Sequence, residues 1–138
     1  MDEIGQLLAK KVERVTPATF DELALEIFRY QAACNSLYAD YIRLLHIKPE
    51  TITKVEQIPF LPIQFFKTHD IQTGKWTPET VFTSSGTTGQ TPSRHLVRDL
   101  DFYLRNTRRG FEHFYGKLED YCFLALLPSY LERSGSSL

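Results

Sequence analysis

The chain has 138 residues, with 16 basic and 17 acidic side chains and a formal net charge of -1, so no basic excess is available to hold nucleic acid or anionic lipid by charge alone. A content of 42% hydrophobic and 24% charged residues excludes a disordered polymer, and one domain of this size buries roughly two-thirds of its extended surface.

The opening Met1-Asp2-Glu3 lacks the basic region and apolar core of a signal peptide, and no apolar run nears the ~20 residues of a bilayer span. Cys34 and Cys122, the two cysteines, lie in apolar surroundings and are expected to be reduced, buried thiols. The expected location is cytoplasmic, with neither a membrane span nor a nucleic-acid partner.

Ile4, Leu7, Leu8, Val12 and Val15 have helical spacing, with Lys10, Lys11, Glu13 and Arg14 opposite, which predicts a peripheral amphipathic helix within residues 1–15. Thr16-Pro17 and Thr19-x-x-Glu22 are helix-start signals, the second a capping box. Phe20, Leu23, Ala24, Ile27 and Phe28 then mark one buried face, and the pattern resumes at Leu37, Tyr38, Tyr41, Ile42 and Leu45. Residues 20–45 are therefore one long helix or two parted near Asn35-Ser36, and 1–48 form a helical region. Phe28, Tyr30, Tyr38 and Tyr41 read as core aromatics, not as an acyl-chain groove.

From Pro49 to Pro62 the proline density excludes a regular helix or a central strand. Gln64–His69 is expected to be a short strand or turn, and Gly74-Lys75-Trp76-Thr77-Pro78 a turn. Val81-Phe82-Thr83 and His95-Leu96-Val97 read as strands on either side of a hydroxyl-and-glycine loop, residues 83–94. Asp99 caps the following helix, on which Leu100, Tyr103, Leu104, Thr107, Phe111 and Phe114 share a face and which Gly116 stops. Arg98, Arg105, Arg108 and Arg109 form its solvated face. Tyr121–Leu127 is a continuous apolar run ended by Pro128, as expected of a strand buried on both faces. Strand, helix, strand in residues 81–138 suggests an α/β layered sheet. His46, His69, His95 and His113 lack metal-ligand spacing.

The loop itself has the composition of an anion site. Gly86 and Gly89 let the backbone curl and bring successive N–H groups close to an anion. The hydroxyls of Thr83, Ser84, Ser85, Thr87 and Thr88 add neutral donors, Pro92 stiffens the exit, and Arg94 supplies a positive charge. The nucleotide-binding pattern G-x-x-x-x-G-K-[ST], the dinucleotide fingerprint G-x-G-x-x-G and the hydrolase elbow G-x-S-x-G are all missing. A flexible Ser/Thr/Gly linker is the bland alternative.

Ser84-Ser85-Gly86-Thr87-Thr88-Gly89 resembles the phosphate-binding signature of the adenylate-forming superfamily. Ile58-Pro59-Phe60-Leu61-Pro62-Ile63-Gln64-Phe65-Phe66-Lys67 and Leu126-Leu127-Pro128-Ser129-Tyr130-Leu131-Glu132-Arg133 resemble segments of its LuxE-type acyl-protein synthetases, as does Phe28-x-x-Gln31. Many members continue the loop as G-x-P-K, whereas this chain reads Gly89-Gln90-Thr91-Pro92-Ser93-Arg94, one residue longer and with Arg94 for Lys.

The resemblance implies an α/β fold: the N-terminal part of an adenylate-forming large domain, a helical region followed by a mixed sheet with flanking helices. Residues 1–138 would be a partial ATP-binding domain that ends part way through the family's larger one. The implied activity is that of an ATP-dependent acid–thiol ligase, which activates a carboxylic, typically fatty, acid as an acyl-adenylate and passes the acyl group to a thiol. ATP and Mg²⁺ are the implied cofactors, with Mg²⁺ arriving on the nucleotide. Ser84, Ser85, Gly86, Thr87, Thr88 and Gly89 would hold the ATP phosphates and Arg94 would add a charge contact. Lys67 would be structural. The family's later motifs have no counterpart here, so this chain alone is expected not to complete adenylation. The implied partners are the acid and an acyl-reductase or acyl-transferase. The alternatives are a non-catalytic interaction module that self-associates or pairs with a complete synthetase or reductase, and an aryl- or acyl-CoA ligase related to phenylacetate ligases.

Overall fold

The computed structural model describes residues 3–84 and 91–124, and the chain divides into two compact units, Met1–Trp76 and Thr77–Leu138.

The first unit is helical. Helix α1 (Glu3–Val12) buries Leu8 and carries Glu3 in its first turn and Lys10 and Lys11 in its last, the order the helix dipole favours. Helices α2 (Phe20–Cys34) and α3 (Ser36–Leu44) are separate. Asn35 makes the break: its extended backbone leaves the helix path, its buried side chain accepts the Tyr38 N–H at 3.1 Å, and α3 starts anew on that cap. The core comprises Phe28, Tyr38, Ile42 and Ile52, with Leu25, Ala32, Tyr41, Ile47, Ile58 and Leu61 packed against it. Phe28, only 2% exposed, meets Tyr38 edge-to-face at 6.1 Å, and its burial contributes about 1.5–3 kcal/mol. The aromatic stripe is core in part, as read from the sequence.

Helix α3 ends without glycine. His46 takes φ +57°, its N–H donates to the Arg43 carbonyl at 3.0 Å, and the Ile47 N–H donates back to the Ile42 carbonyl at 3.0 Å. These two bonds are the Schellman arrangement that normally selects glycine. The segment from Pro49 to Pro62 has only two short 3-10 turns, Pro49–Thr51 and Val55–Gln57. The Tyr38 hydroxyl anchors it by donating to the Pro59 carbonyl at 2.8 Å. Gly74 turns in the left-handed region at φ +79°, and its N–H donates to the Cys34 carbonyl at 2.8 Å.

Two local expectations in this unit are corrected. Thr19 does not form the capping box. It has helical backbone angles and makes no side-chain cap bond, while its hydroxyl oxygen instead accepts the Thr16 N–H at 3.0 Å in the turn through Pro17. The Gln64–His69 segment is neither strand nor plain turn but holds a one-turn helix, α4 (Phe65–Thr68), because the 62–65 turn after Pro62 is already helical in sense.

In the second unit, strands β1 (Thr80–Thr83) and β2 (Arg94–Val97) pair antiparallel, with Thr80 opposite Val97 and Thr83 opposite Arg94. Helix α5 (Leu100–Tyr115) follows. Asp99 caps it by accepting the Phe102 N–H at 2.7 Å, Glu79 accepts the Leu100 N–H at 2.8 Å, and Gly116 closes it at φ +91°. Phe82 of β1 meets Tyr103 of α5 at 5.2 Å.

The coarse expectation of helices first and a strand–helix region after them describes both units. Among the described residues, however, the sheet is these two antiparallel strands only. Tyr121–Leu124 is not a buried strand: it pairs with nothing in the sheet, and Phe123 and Leu124 are 63% and 92% exposed. An apolar run becomes a strand only where another strand offers its free edge; here Tyr121 and Phe123 meet Phe111 of α5 edge-to-face instead, at 5.2 and 5.5 Å. Cys122 is consequently exposed rather than buried, and Cys34 is half-buried; both thiols are free. Residues 125–127 lie outside the described residues.

Candidate functional site

The β1–β2 hairpin delivers the hydroxyl-and-glycine loop, and its last pair defines the neck. Continuing the register one step past Thr83 and Arg94 sets Ser84 opposite Ser93. The Ser84 N–H donates to the Ser93 carbonyl at 3.1 Å, an ordinary ladder bond. The reciprocal bond is altered: the Ser93 N–H donates to the Ser84 hydroxyl oxygen at 2.9 Å. A side chain thus completes the ladder where the loop departs.

That bond leaves Ser84 a definite chemistry. Its hydroxyl accepts from the backbone with one lone pair and keeps its own proton, so it can still donate to an anion. Ser93 is buried at 8% exposure, and its hydroxyl lies 3.5 Å from Nε2 of His95. Because side chains alternate across a pleated strand, Thr83 and Arg94 share the sheet face opposite Phe82 and His95. Phe82 packs against α5; Arg94 is therefore on the side away from Tyr103, and it is exposed.

Of the predicted phosphate contacts, Ser84 and Arg94 flank the neck, while Ser85, Gly86, Thr87, Thr88 and Gly89 lie outside the described residues. Ser84 and Arg94 each offer a group that can bind a phosphate oxygen, but by the same alternation they leave the neck on opposite faces of the hairpin, so the described residues do not bring the two together. Ser93 was not singled out in the sequence. Its role follows only from the hairpin register, which pairs it with Ser84, and no spacing rule in the loop reveals that.

Within the second unit, Arg108 is engaged by carboxylates. The Arg108 guanidinium bridges Glu112, at 2.9 Å, and Glu119. Its own hydrogen bonds to both carboxylates raise its pKa further, and the Glu119 carboxyl is held below its ordinary value, first by a backbone N–H and then by Arg108. This part of the basic helical face is therefore internally paired. No group of three or more metal-ligating side chains occurs among the described residues, and no helix among them is long and apolar enough to cross a membrane. No protein family, curated protein or solved structure matches this chain.

Proposed function

We propose that the chain is the ATP-phosphate-binding portion of an acyl-activating ligase similar to LuxE-type acyl-protein synthetases. In this reading a carboxylic, typically fatty, acid is activated by ATP with Mg²⁺ and delivered to a thiol. The observation that carries the proposal is the Ser84–Ser93 neck. It ties off the base of a loop whose residues resemble the superfamily's phosphate signature, and it keeps one hydroxyl proton ready for an incoming oxygen. The contribution of the loop is electrostatic: convergent amides and hydroxyls, with Arg94 as a charge contact, orient the phosphates and offset their charge as the carboxylate approaches.

A second reading, a non-catalytic interaction module, is favoured by the uncovered aromatic surface of the second unit. Phe114 is 78% exposed and Tyr115 63%, and adjacent exposed aromatics are the material from which an interaction surface is built.

Thermal unfolding with Mg·ATP separates the two. A nucleotide present at about 100 times its Kd adds about 2.7 kcal/mol to the folded state, so the chain should melt at a higher temperature with Mg·ATP than without it. Gly86→Val with Gly89→Val should abolish that shift and leave the circular dichroism unchanged. An unshifted melt, a self-associating chain indifferent to ATP, or an equal shift in the double variant would contradict the phosphate-site reading.

A further inference from the structure

The first unit holds a cavity of about 500 Å³, formed wholly within residues 12–71. Leu23, Ile27 and Phe28 of α2 make its floor, and Phe60, Leu61 and Ile71 border it from the proline-rich segment and beyond. Its volume falls within the ~300–1,000 Å³ of small-molecule sites, which are mostly apolar with a few placed polar groups.

The polar lining is selective. Among the described residues, no charged side chain borders the cavity. Of its polar residues, Tyr38 spends its hydroxyl on the Pro59 carbonyl and Asn35 spends its oxygen on the cap of α3. Two amides remain: that of the exposed Gln31 and the Nδ2 of the buried Asn35, neither with a hydrogen bond among the described residues. A carboxylate or ammonium buried here would lack a counter-charge, at a cost of several kcal/mol, whereas an uncharged molecule avoids that penalty and could pair a carbonyl or hydroxyl with an amide of the lining.

We propose that this cavity binds an uncharged, largely apolar small molecule with one hydrogen-bonding group, held at the amide of Gln31 or Asn35. The site lies in the first unit and stands independently of the phosphate loop in the second.

Titration of the full chain with neutral N-phenyl-1-naphthylamine, followed by fluorescence, tests it. Emission should saturate at one probe per chain. Ala24→Phe, which fills the cavity from α2, should weaken binding on the order of tenfold, because the apolar contact area is lost. Phe60→Ala, at a position 74% exposed and so tolerant of change, should weaken it severalfold. Phe114→Ala in the second unit should leave it unchanged. Non-saturating emission, undiminished affinity in Ala24→Phe, or loss of binding in Phe114→Ala would overturn the proposal. Equal affinity for an anionic naphthalene sulfonate would overturn its neutral specificity. Sedimentation showing that Ala24→Phe splits a dimer would assign the cavity to contact between copies, and would overturn it too.

Discussion

Tyr38 joins three roles in one side chain. It starts α3 through the Asn35 cap, meets Phe28 in the core, and fixes the proline-rich segment by its hydroxyl. Burial, and then the neighbouring Tyr41, push its pKa from 10.0 up to about 12. The sign follows directly. The neutral phenol is the form the fold favours, so its stabilisation is complete below the unfolded value and declines as pH rises from 10.0 towards about 12. Tyr38→Phe should cost about 1 kcal/mol near neutral pH, because the Pro59 carbonyl loses its donor. That deficit should shrink as pH rises through this window, since phenylalanine cannot ionise; denaturant unfolding of both proteins at several pH values measures it. The sequence left residues 20–45 as one helix or two parted near Asn35-Ser36, because asparagine only competes with the helix backbone; the structure decides for two by giving that competition a partner in the Tyr38 N–H. His46 was not legible as a helix stop. Glycine is the usual signal for a left-handed residue, and here tertiary packing of Ile47 on the core holds a histidine in that conformation instead.

At the scale of elements, α5 is the best-signalled helix and the least buried. Asp99 and Gly116 mark its ends in the sequence as they do in the structure, yet none of its side chains is fully buried. Its stability therefore depends heavily on its termini. Asp99→Ala should cost about 1 kcal/mol and speed amide hydrogen exchange through the first turn of α5, with no change in α2. Equal exchange in the two proteins would show that Glu79, which accepts the Leu100 N–H, suffices alone. The hairpin strands were legible because each is a short apolar run bounded by turn residues, and their pairing required only that they be adjacent in sequence. The apolar run at Tyr121–Leu124 looked like a buried strand for the same reason. Pairing depends on a neighbour, however, and composition cannot supply one: these residues gather on Phe111. The Thr19 signal failed similarly, since Thr16 offered the hydroxyl a nearer partner than the helix N-terminus.

For the whole molecule, burial is unequal. The fully buried apolar residues of the described chain, from Leu8 to Ile52, all lie in the first unit, whereas the second unit is tied by a short hairpin, helix caps and aromatic contacts. The cavity of the first unit was not legible, because the side chains around it read as core and only the fold shows that they enclose space. The hydroxyl-and-glycine composition of residues 83–94 was legible, and the Ser84–Ser93 neck only from register. Amide chemical shifts followed by NMR during titration with Mg·ATP show whether residues 83–94 receive a polyphosphate. Saturating shifts should concentrate at residues 83–94, Ser84, Ser93 and Arg94 among them; no shifts at saturating nucleotide, or shifts confined to the first unit, would rule the phosphate site out.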